Sequence, residues 1–389
     1  MNIALITDTF HPQIGGTESV VLYLAKTYLK LGHNVAVFTR EYDCVYDDSV
    51  FDFLIYRTKV FKFPFYSEIP LPSRDKKLNK KLIDFKPHVI HIHTPFEMGK
   101  WGVTKAKKMH IKSILTTHTY LNYINEQNAP FSKNSPIHKI IVNMATVMPK
   151  QTALSAYVLT TVSEYVKREE IENVYGIKNK TIVIRNGFDY SHLDGVLKEN
   201  NLVPLEYYKK HIDKKIHLCF AGRIVKEKNI EFSLKVCKLL KERNISFDFT
   251  LAGDGNIEYF KGIAKKLDVE ENVHFIGKQK FAELVKLYAK SDILLFPSIF
   301  DCDSIVGIES RALGCPSLVI QNTGSAERII DGMNGYVLPD DKESFADKIE
   351  EFYIMKTNNI DTLINLRNNT LMSKADSWED IAKLYLNLI

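Results

Sequence analysis

The sequence predicts an α/β protein made of two doubly wound parallel-sheet domains in tandem. Short apolar runs recur along the chain, and amphipathic helical patterns separate most of them. This alternation is typical of strand–helix–strand units in a parallel sheet. The length of 389 residues is long for one hydrophobic core and comfortable for two domains. No hydrophobic periodicity persists from residue 192 to about 215, so we place the domain connection there.

The N-terminal domain, residues 1–195, opens with a strand–loop–helix–strand unit. Gly15 and Gly16 stand at the start of the helix, where free backbone N–H groups let an anionic ligand approach. Their spacing is not GxGxxG, and no clear ribose-binding acid follows the second strand, so a nicotinamide cofactor is not favoured. The strands predicted in this domain are 3–7, 35–39, 89–93, 114–117, 158–161 and 181–184.

The second domain, residues 196–375, repeats the same doubly wound pattern. Two Rossmann-like domains in tandem leave a cleft between them, which is a natural ligand site. The motif SWED at 377–380 opens an amphipathic helix, and we expect residues 376–389 to pack back on the first domain. The strands predicted in the second domain are 216–221, 247–252, 273–277, 293–296, 317–320 and 336–338.

The candidate site is organised around the segment that begins at Asp301. Ser304 is a suitable N-cap for the helix that follows the buried strand 293–296. The free amides of Ile305 and Val306 are placed to bind phosphates. Glu309 lies about 6 Å further along the helix axis, where it could bind a ribose diol. Asp301 stays in the loop and could face a sugar hydroxyl, although two acids alone are more often solvated charges.

Two cations and two further residues extend this site. Arg223 follows strand 216–221, and Lys228 precedes the next helix. A planar guanidinium and a point charge both suit a diphosphate. Gly253, in a Gly-Asp-Gly turn, could let a nucleobase pack against the backbone. His118 ends strand 114–117, where ligands bind in open α/β sheets; a structural histidine is an equally good interpretation.

The charge distribution indicates an anionic partner for the N-terminal half. The net charge is +5, but residues 51–150 alone carry +11. We find no nucleic-acid-binding signature, so an anionic membrane is the better candidate. A predicted helix has Leu78 and Leu82 on one face, a pattern that also fits a solvated helix with two core leucines. The lysines around that face are Lys76, Lys77, Lys80 and Lys81.

Other features limit the protein class. No apolar run approaches the roughly 18 residues that a membrane helix needs, and the N-terminus reads as a strand rather than a secretion signal. The five cysteines are odd in number and form no CxxC pair, so neither a disulfide framework nor a zinc site is indicated. We therefore expect a reduced cytoplasmic protein, peripherally associated with the inner face of the plasma membrane.

Several motifs in order resemble one family. They are GGTE after DTFHP, THT at 117–119, AGRIVKEKN at 221–229, LAGDG at 251–255, the D-x7-E element with SRALGCPSL, NGYVLP at 334–339 and SWEDIAKLYL. Together they resemble the retaining, nucleotide-sugar-dependent glycosyltransferases of the GT-B fold, family 4, over almost the whole chain. Residues 91–124 look like the acceptor-domain segment of bacterial diacylglycerol glucosyltransferases and related lipid glycosyltransferases, which dock on anionic membranes.

The resemblance implies a role for each site residue. Gly15 and Gly16 would lie beside the donor diphosphate, and His118 would contact the transferred sugar. Arg223 and Lys228 would bind the diphosphate and neutralise the leaving group. The remaining donor contacts would come from Gly253, Asp301, Ser304, Ile305, Val306 and Glu309.

The resemblance also implies catalysis without a bound metal or other cofactor, so Asp-Cys-Asp at 301–303 is not interpreted as a metal motif. One departure stands out. Many relatives have an aromatic residue and glycine where this chain has Asp303 and Ser304, and the added carboxylate is expected to change the preferred sugar or to repel the donor.

The leading hypothesis is a hexosyltransferase that moves a sugar from a UDP- or GDP-sugar to a membrane-held lipid or lipid-linked glycan. A second hypothesis keeps the chemistry but makes the acceptor a soluble molecule or a capsular saccharide. A third, from another class, is a nucleotide-sugar epimerase of the same fold, which requires acidic residues around the sugar. A fourth is an inactive binding partner. Retention of Arg223, Lys228 and Glu309 together argues against the fourth.

Overall fold

The structure is a computed structural model that describes residues 1–13, 15–63, 66–118, 136–178 and 180–389, with only the backbone described at 62–63, 66–67 and 136–145. The chain divides into two compact units. Unit 1 consists of Met1–Gly187 together with Asp376–Ile389, and unit 2 consists of Phe188–Ala375.

Unit 1 is built on a parallel sheet whose five inner strands are buried on both faces over most of their length, which is why they read as continuous apolar runs. The strands of this unit are β1 Asn2–Ile6, β2 Asn34–Arg40, β3 Leu54–Thr58, β4 Val60–Phe63, β5 Tyr66–Pro70, β6 Val89–Ile92, β7 Lys112–Thr117, β8 Val158–Thr161 and β9 Thr181–Val183. Seven of them form the sheet in the order β3-β2-β1-β6-β7-β8-β9, and β4 and β5 form a separate antiparallel hairpin.

The helices that cover this sheet follow its strands. They are α1 Gly16–Lys30, α2 Lys76–Phe85, α3 Glu97–Met109, α4 Pro136–Ser155 and the short α5 Glu164–Val166, which continues as a π-helical turn over Lys167–Glu172.

Unit 2 has a six-stranded parallel sheet in the order β12-β11-β10-β13-β14-β15. Its strands are β10 Ile216–Ala221, β11 Phe247–Ala252, β12 Val273–Gly277, β13 Ile293–Phe296, β14 Ser317–Ile320 and β15 Gly335–Leu338. Its helices are α6 Tyr190–Glu199, α7 Pro204–Lys210, α8 Ile230–Glu242, α9 Ile257–Lys266, α10 Phe281–Lys290, α11 Ile305–Ala312, α12 Lys342–Asn358 and α13 Ile360–Met372. The predicted fold class, two doubly wound parallel-sheet domains, is confirmed.

The segment after unit 2 completes unit 1. Helix α14, Trp378–Leu386, begins with a capping box in which Ser377 and Asp380 each accept a hydrogen bond from the other's backbone N–H. The Trp378 ring stacks on Tyr23 of α1 at 5.6 Å between centroids. Lys112 Nζ donates to the carbonyl oxygen of Ile389 at 2.6 Å. These contacts anchor residues 376–389 in unit 1.

One expectation about the chain's organisation was wrong. The polar stretch 192–215 is not a structureless connection, because it contains most of α6 and all of α7. Leu193 and Val196 of α6, Tyr208 of α7 and the intervening Leu202 are buried in the core of unit 2. The division between units therefore falls between residues 187 and 188, eight residues before the expected boundary at 195.

Each sheet has one point where the strand order reverses, between β1 and β6 in unit 1 and between β10 and β13 in unit 2. In open parallel sheets, ligands bind outside the carboxyl ends of the strands at such a point. The residues that follow β1, β6, β10 and β13 are therefore the first place to look for a site.

Candidate functional site

Lys228 and Asp301 form an ion pair across the reversal point of unit 2. Lys228 follows β10 in a 3₁₀ turn, Lys226–Lys228, and its Nζ lies 2.7 Å from Asp301 Oδ2, which follows β13. The Lys228 ammonium also lies 5.0 Å from the centroid of the Phe296 ring. Arg223, directly after β10, is exposed, and its guanidinium makes no ion pair with any residue that the structure describes. The two predicted cations thus follow the same strand, with Lys228 held in an ion pair and Arg223 exposed.

The N-terminus of α11 offers two unpaired amides beside this pair. The predicted N-cap is confirmed, because Ser304 Oγ accepts a hydrogen bond from the backbone N–H of Gly307 at 3.0 Å. The N–H groups of Ile305 and Val306 donate to no described residue. Free amides at the start of a helix favour an anion through direct hydrogen bonds and through the helix dipole.

Glu309 lies one turn into α11 and is held by a tyrosine that the sequence analysis did not identify. The Tyr288 hydroxyl, on α10, donates to Glu309 Oε2 at 3.1 Å. Burial raises the pKa of the Glu309 carboxyl to about 7. Near neutral pH the carboxylate and the neutral acid are therefore both populated.

The carboxylate of Asp303 is buried and paired inside unit 2. Its side chain is only 1% exposed and pairs with Arg328, whose Nε contacts Oδ1 and whose Nη2 donates to Oδ2 at 2.6 Å. A bidentate guanidinium neutralises this charge inside unit 2. The expectation that Asp303 repels a donor is therefore corrected, because its charge is already matched.

The backbone itself requires a glycine at position 253. It has a φ of +151°, and a Cβ at this position would lie 1.8 Å from the carbonyl oxygen of Gly222. The turn after β11 therefore packs directly against the turn after β10. This close approach positions the backbone on which Arg223 lies, so Gly253 supports the site indirectly.

In unit 1, the predicted glycines lie at the start of α1. Gly15 is the N-cap residue, with extended backbone, and α1 begins at Gly16. Beyond the neighbouring residues and the helix backbone, no described atom lies within 4 Å of a Cβ added at Gly16, whereas one added at Gly15 would meet the Glu18 carboxylate at 2.4 Å. The helix start therefore remains open to a ligand at Gly16, with an acidic side chain folded back over Gly15.

Asp8 and Thr94 occupy the reversal point of unit 1, directly after β1 and shortly after β6. The Thr94 hydroxyl donates to one Asp8 oxygen, and the Met98 backbone N–H donates to the other at 3.1 Å. Burial raises the pKa of Asp8 to about 6. The pair fixes the N-terminus of α3 against β1.

His118 follows β7 and is joined to a second histidine. Its Nε2 lies 3.0 Å from Nδ1 of His93, which follows β6. Burial lowers the pKa of His118 to about 3, so the ring is neutral at physiological pH.

The basic helix α2 uses its apolar face within unit 1. Leu78 and Leu82 are buried in the core, which confirms the interpretation of this helix as a solvated one with two core leucines. Asp75 caps the helix by accepting from the Leu78 N–H at 2.9 Å. The side chains that remain exposed on this helix include Ile83 and all four predicted lysines, Lys76, Lys77, Lys80 and Lys81. Any attraction to a membrane surface through α2 is therefore mainly electrostatic.

Two further findings concern the described part of the chain. None of its helices combines the length and the apolar character that crossing a bilayer requires. No group of three or more His, Cys, Asp or Glu side chains within it is arranged to hold a metal ion. Asp301 and Asp303 each have a cationic partner instead.

The structure adds residues that the sequence analysis missed. Tyr288 contacts the predicted site residue Glu309, and Arg328 contacts Asp303, beside the predicted Ser304. Each lies on a different element from its partner, so no local sequence pattern indicates it. Asp8, His93 and Thr94 carry a weaker signal, because polar residues directly after buried parallel strands are candidates for a site.

Comparisons with known proteins agree with the fold described above. The family described as Glycosyltransferase Family 4 matches residues 14–192, and the family described as Glycosyl transferases group 1 matches residues 208–371. An uncharacterised glycosyltransferase of Methanocaldococcus jannaschii is 26% identical over 100% of this chain and 97% of its own. The alpha-monoglucosyldiacylglycerol synthase of Streptococcus pneumoniae is 25% identical over 86% of this chain and 74% of its own. Among solved structures, HepE of Anabaena in complex with UDP has a TM-score of 0.72 at 16% identity, covering 100% of this chain and 99% of that one.

Proposed function

Because the chain belongs to the family 4 glycosyltransferases, which have the GT-B fold, we propose that it transfers a hexose from a UDP- or GDP-sugar to a membrane-associated lipid or lipid-linked glycan. The observation that carries the donor assignment is the reversal point of unit 2. There, the two cations follow β10, while the two free helix amides and the Glu309 carboxylate follow the neighbouring strand β13. These groups match a nucleoside diphosphate: the amides and cations bind the phosphates, and Glu309 binds the ribose.

The cations also have a role in the reaction. When the bond between the sugar anomeric carbon and the diphosphate breaks, negative charge grows on the leaving phosphate oxygen. Lys228 and Arg223 would stabilise that charge as it develops, and Lys228, already oriented by Asp301, would do so without reorganisation. We propose that these side chains serve where a divalent cation serves in other transferases, so that no metal is needed.

We propose retention of configuration through attack on the same face from which the diphosphate departs. The acceptor oxygen forms its bond to the anomeric carbon, and its proton passes to an oxygen of the leaving diphosphate. We nominate no protein side chain as the nucleophile. In this scheme Asp301 and His118 contact the sugar, and Gly15, Gly16 and Gly253 shape the backbone around it.

Donor binding is tested by thermal unfolding of the full chain with UDP, GDP, ADP and their sugar conjugates, in buffer with a chelator. A ligand at a hundredfold excess over its Kd stabilises the folded state by about 2.7 kcal/mol. We expect a clear rise in Tm with one base and its sugars. Absence of a shift with every nucleotide would contradict the donor site, and a shift that appears only when Mg²⁺ or Mn²⁺ is added would contradict metal independence.

The membrane part of the proposal rests on α2. Its exposed lysines would attract anionic lipid headgroups by about 1 kcal/mol each near the surface. The similarity to a synthase named for a diacylglycerol glycolipid supports a lipid acceptor. The attachment would be peripheral and at a cytoplasmic face.

We expect reversal of Lys76, Lys77, Lys80 and Lys81 to Glu to abolish binding to vesicles that contain anionic lipid. The helix should persist, because acidic residues are favoured in the first turn, where Lys76 and Lys77 lie. Vesicle sedimentation at low salt measures the effect. The matched control reverses four exposed lysines of unit 2, Lys210, Lys214, Lys265 and Lys266. Equal vesicle binding by the two variants would argue against α2 as the contact surface.

A soluble or capsular saccharide acceptor is the second candidate. The observation that favours it is the burial of Leu78 and Leu82, which leaves α2 little apolar surface to insert into a bilayer. The epimerase hypothesis loses its motivating feature, because Asp303 is paired with Arg328. Formation of an isomeric nucleotide sugar without any acceptor would revive it.

A further inference from the structure

Three histidines of unit 1 form one buried row. The rings of His91 and His93 lie 4.2 Å apart, and those of His93 and His118 lie 5.3 Å apart and nearly parallel. His91 and His93 are each 1% exposed. The row is closed on one side by Tyr385, whose ring lies 4.5 Å from His91. No step described so far uses His91 or His93.

All three rings are neutral at physiological pH. Burial and mutual repulsion lower the pKa of His91 to about 3, and burial lowers the pKa of His118 to about 3. The pKa of His93, between them, is lowered well below its usual value for the same reasons. A neutral imidazole has one N–H and one bare nitrogen. Therefore one ring must donate and the other accept in the His93–His118 hydrogen bond.

The surroundings of His93 decide the direction of this bond. Its second nitrogen, Nε2, is buried and has no hydrogen-bond partner. If His118 donated, His93 would carry its proton on that buried Nε2 as an orphaned N–H. If His93 donates from Nδ1, the buried Nε2 is instead a bare nitrogen acceptor without a donor. Buried N–H groups without a partner are rarer than buried acceptors without one. The second arrangement is therefore favoured: His93 Nδ1–H donates to His118 Nε2.

The same arrangement fits His91. Its Nε2 lies 2.8 Å from the Thr116 hydroxyl oxygen, while its Nδ1 is buried without a partner. The Thr160 hydroxyl can donate to the Leu115 carbonyl oxygen and accept from Thr116. Thr116 is then left to accept from His91 Nε2–H. Both inner histidines thus place their proton in a hydrogen bond and leave a bare nitrogen as the orphan.

We propose that His93 is a positioning residue that fixes His118 in the Nδ1–H tautomer, so that His118 serves as a neutral hydrogen-bond donor to an oxygen of the transferred sugar. The sugar contact rests on the proposed function; the tautomer does not. Among the described residues, His118 makes no other hydrogen bond, so its Nδ1–H remains available. A ring held in this way cannot act as a base, because Nε2 is occupied by His93 and Nδ1 already carries a proton. The group that it contacts must present a lone pair.

Nitrogen-15 spectra of the histidine-labelled full chain at pH 7 test the tautomer directly. The variants His93→Asn and His118→Asn assign the two rings. We expect both rings to be neutral and protonated at Nδ1, with Nε2 bare. A His118 ring protonated at Nε2, or an imidazolium at pH 7, would overturn the proposal. This result does not depend on transfer activity, so it stands or fails separately from the proposed function.

Transfer kinetics test the positioning role. Asparagine at position 93 can place an amide N–H near the position of Nδ1, whereas leucine cannot. We expect His93→Leu to lower kcat/KM by about tenfold, the scale of one net hydrogen bond, and His93→Asn to recover most of that loss. Both variants should show a cooperative thermal transition.

The control for these variants is His110→Asn, an exposed position with left-handed backbone that asparagine accepts. It should behave like the parent protein. Equal losses in His93→Leu and His93→Asn, with folding intact, would show that the hydrogen bond from position 93 does not matter. If no variant, nor the parent, transfers sugar, the proposed function fails while the spectra still decide the tautomer.

Discussion

Lys228→Ala and Arg223→Ala are each expected to lower sugar transfer by about two to three orders of magnitude, the scale of removing one preorganised group that stabilises developing charge. Lys228 is held by Asp301 at 2.7 Å, so its ammonium is already in place when the leaving diphosphate gains charge. Arg223 stands at the end of the same strand. Initial rates at saturating donor would show the loss in kcat, with circular dichroism confirming the fold.

The matched control is Lys226→Ala, an exposed lysine in the same 3₁₀ turn as Lys228. It should retain near-normal turnover. The double variant Lys228→Ala/Asp301→Asn separates loss of the cation from the effect of leaving Asp301 unpaired. If both single variants at 223 and 228 turned over at the parent rate, the cation assignment would be wrong.

Lys356→Met is expected to destabilise unit 2 by about 3 to 5 kcal/mol, the cost of leaving a buried charge without its partner. Lys356 and Asp292 lie 2.8 Å apart, and both side chains are 0% exposed. Asp292 also accepts from the Tyr208 hydroxyl and, at 2.7 Å, from the His217 backbone N–H. These neutral donors cannot replace the ammonium, so the carboxylate would remain buried with its charge unmatched.

Urea unfolding of the full chain measures this change. Lys348→Met on the same helix, α12, is the control, because Lys348 pairs with an exposed glutamate and such pairs contribute about 0 to 1 kcal/mol. Adding Asp292→Asn to Lys356→Met removes the stranded charge and should recover part of the loss. A Lys356→Met variant no less stable than Lys348→Met would refute the assignment of this pair as a structural requirement.

The strands of unit 2 were predictable from the sequence for a physical reason. Parallel strands covered by helices on both faces are continuous apolar runs, so their ends coincide with changes in composition. The runs 216–221 and 293–296 match β10 and β13 residue for residue. Helices α6 and α7 escaped prediction because a few buried side chains, such as Leu193 and Tyr208, are spread over a polar stretch too short to show a period.

The candidate site was predictable where its geometry is local. Ser304 caps α11, and Ile305 and Glu309 lie within its first turn and a half, so the sequence spacing fixes their relation. The partners of site residues come from other strands and helices, as with Arg328 beside Asp303. Sequence spacing carries no information about such contacts, which arise only when the sheet assembles.

The burial of Leu78 and Leu82 illustrates the same limit. An amphipathic pattern shows that a helix has an apolar face, but not whether that face meets a protein core or a lipid surface. In unit 1 the apolar face of α2 packs into the protein core. The pattern also predicts that the four lysines of this helix are exposed, and they are.

The division of unit 1 into two chain segments affects how the protein can be made. Unit 2 is continuous, so a ribosome delivers all of its residues before the helix that stacks Trp378 on Tyr23 has been synthesised. Unit 2 can therefore form its core before unit 1 is complete, because α14 of unit 1 is synthesised last. Within unit 1, Gly187 lies directly against Trp378, because a Cβ at Gly187 would meet the Trp378 Cα at 2.8 Å. The two points where unit 1 is interrupted are thus neighbours. A short peptide would suffice to join them in a protein that lacks unit 2, and another domain could be inserted at the same place.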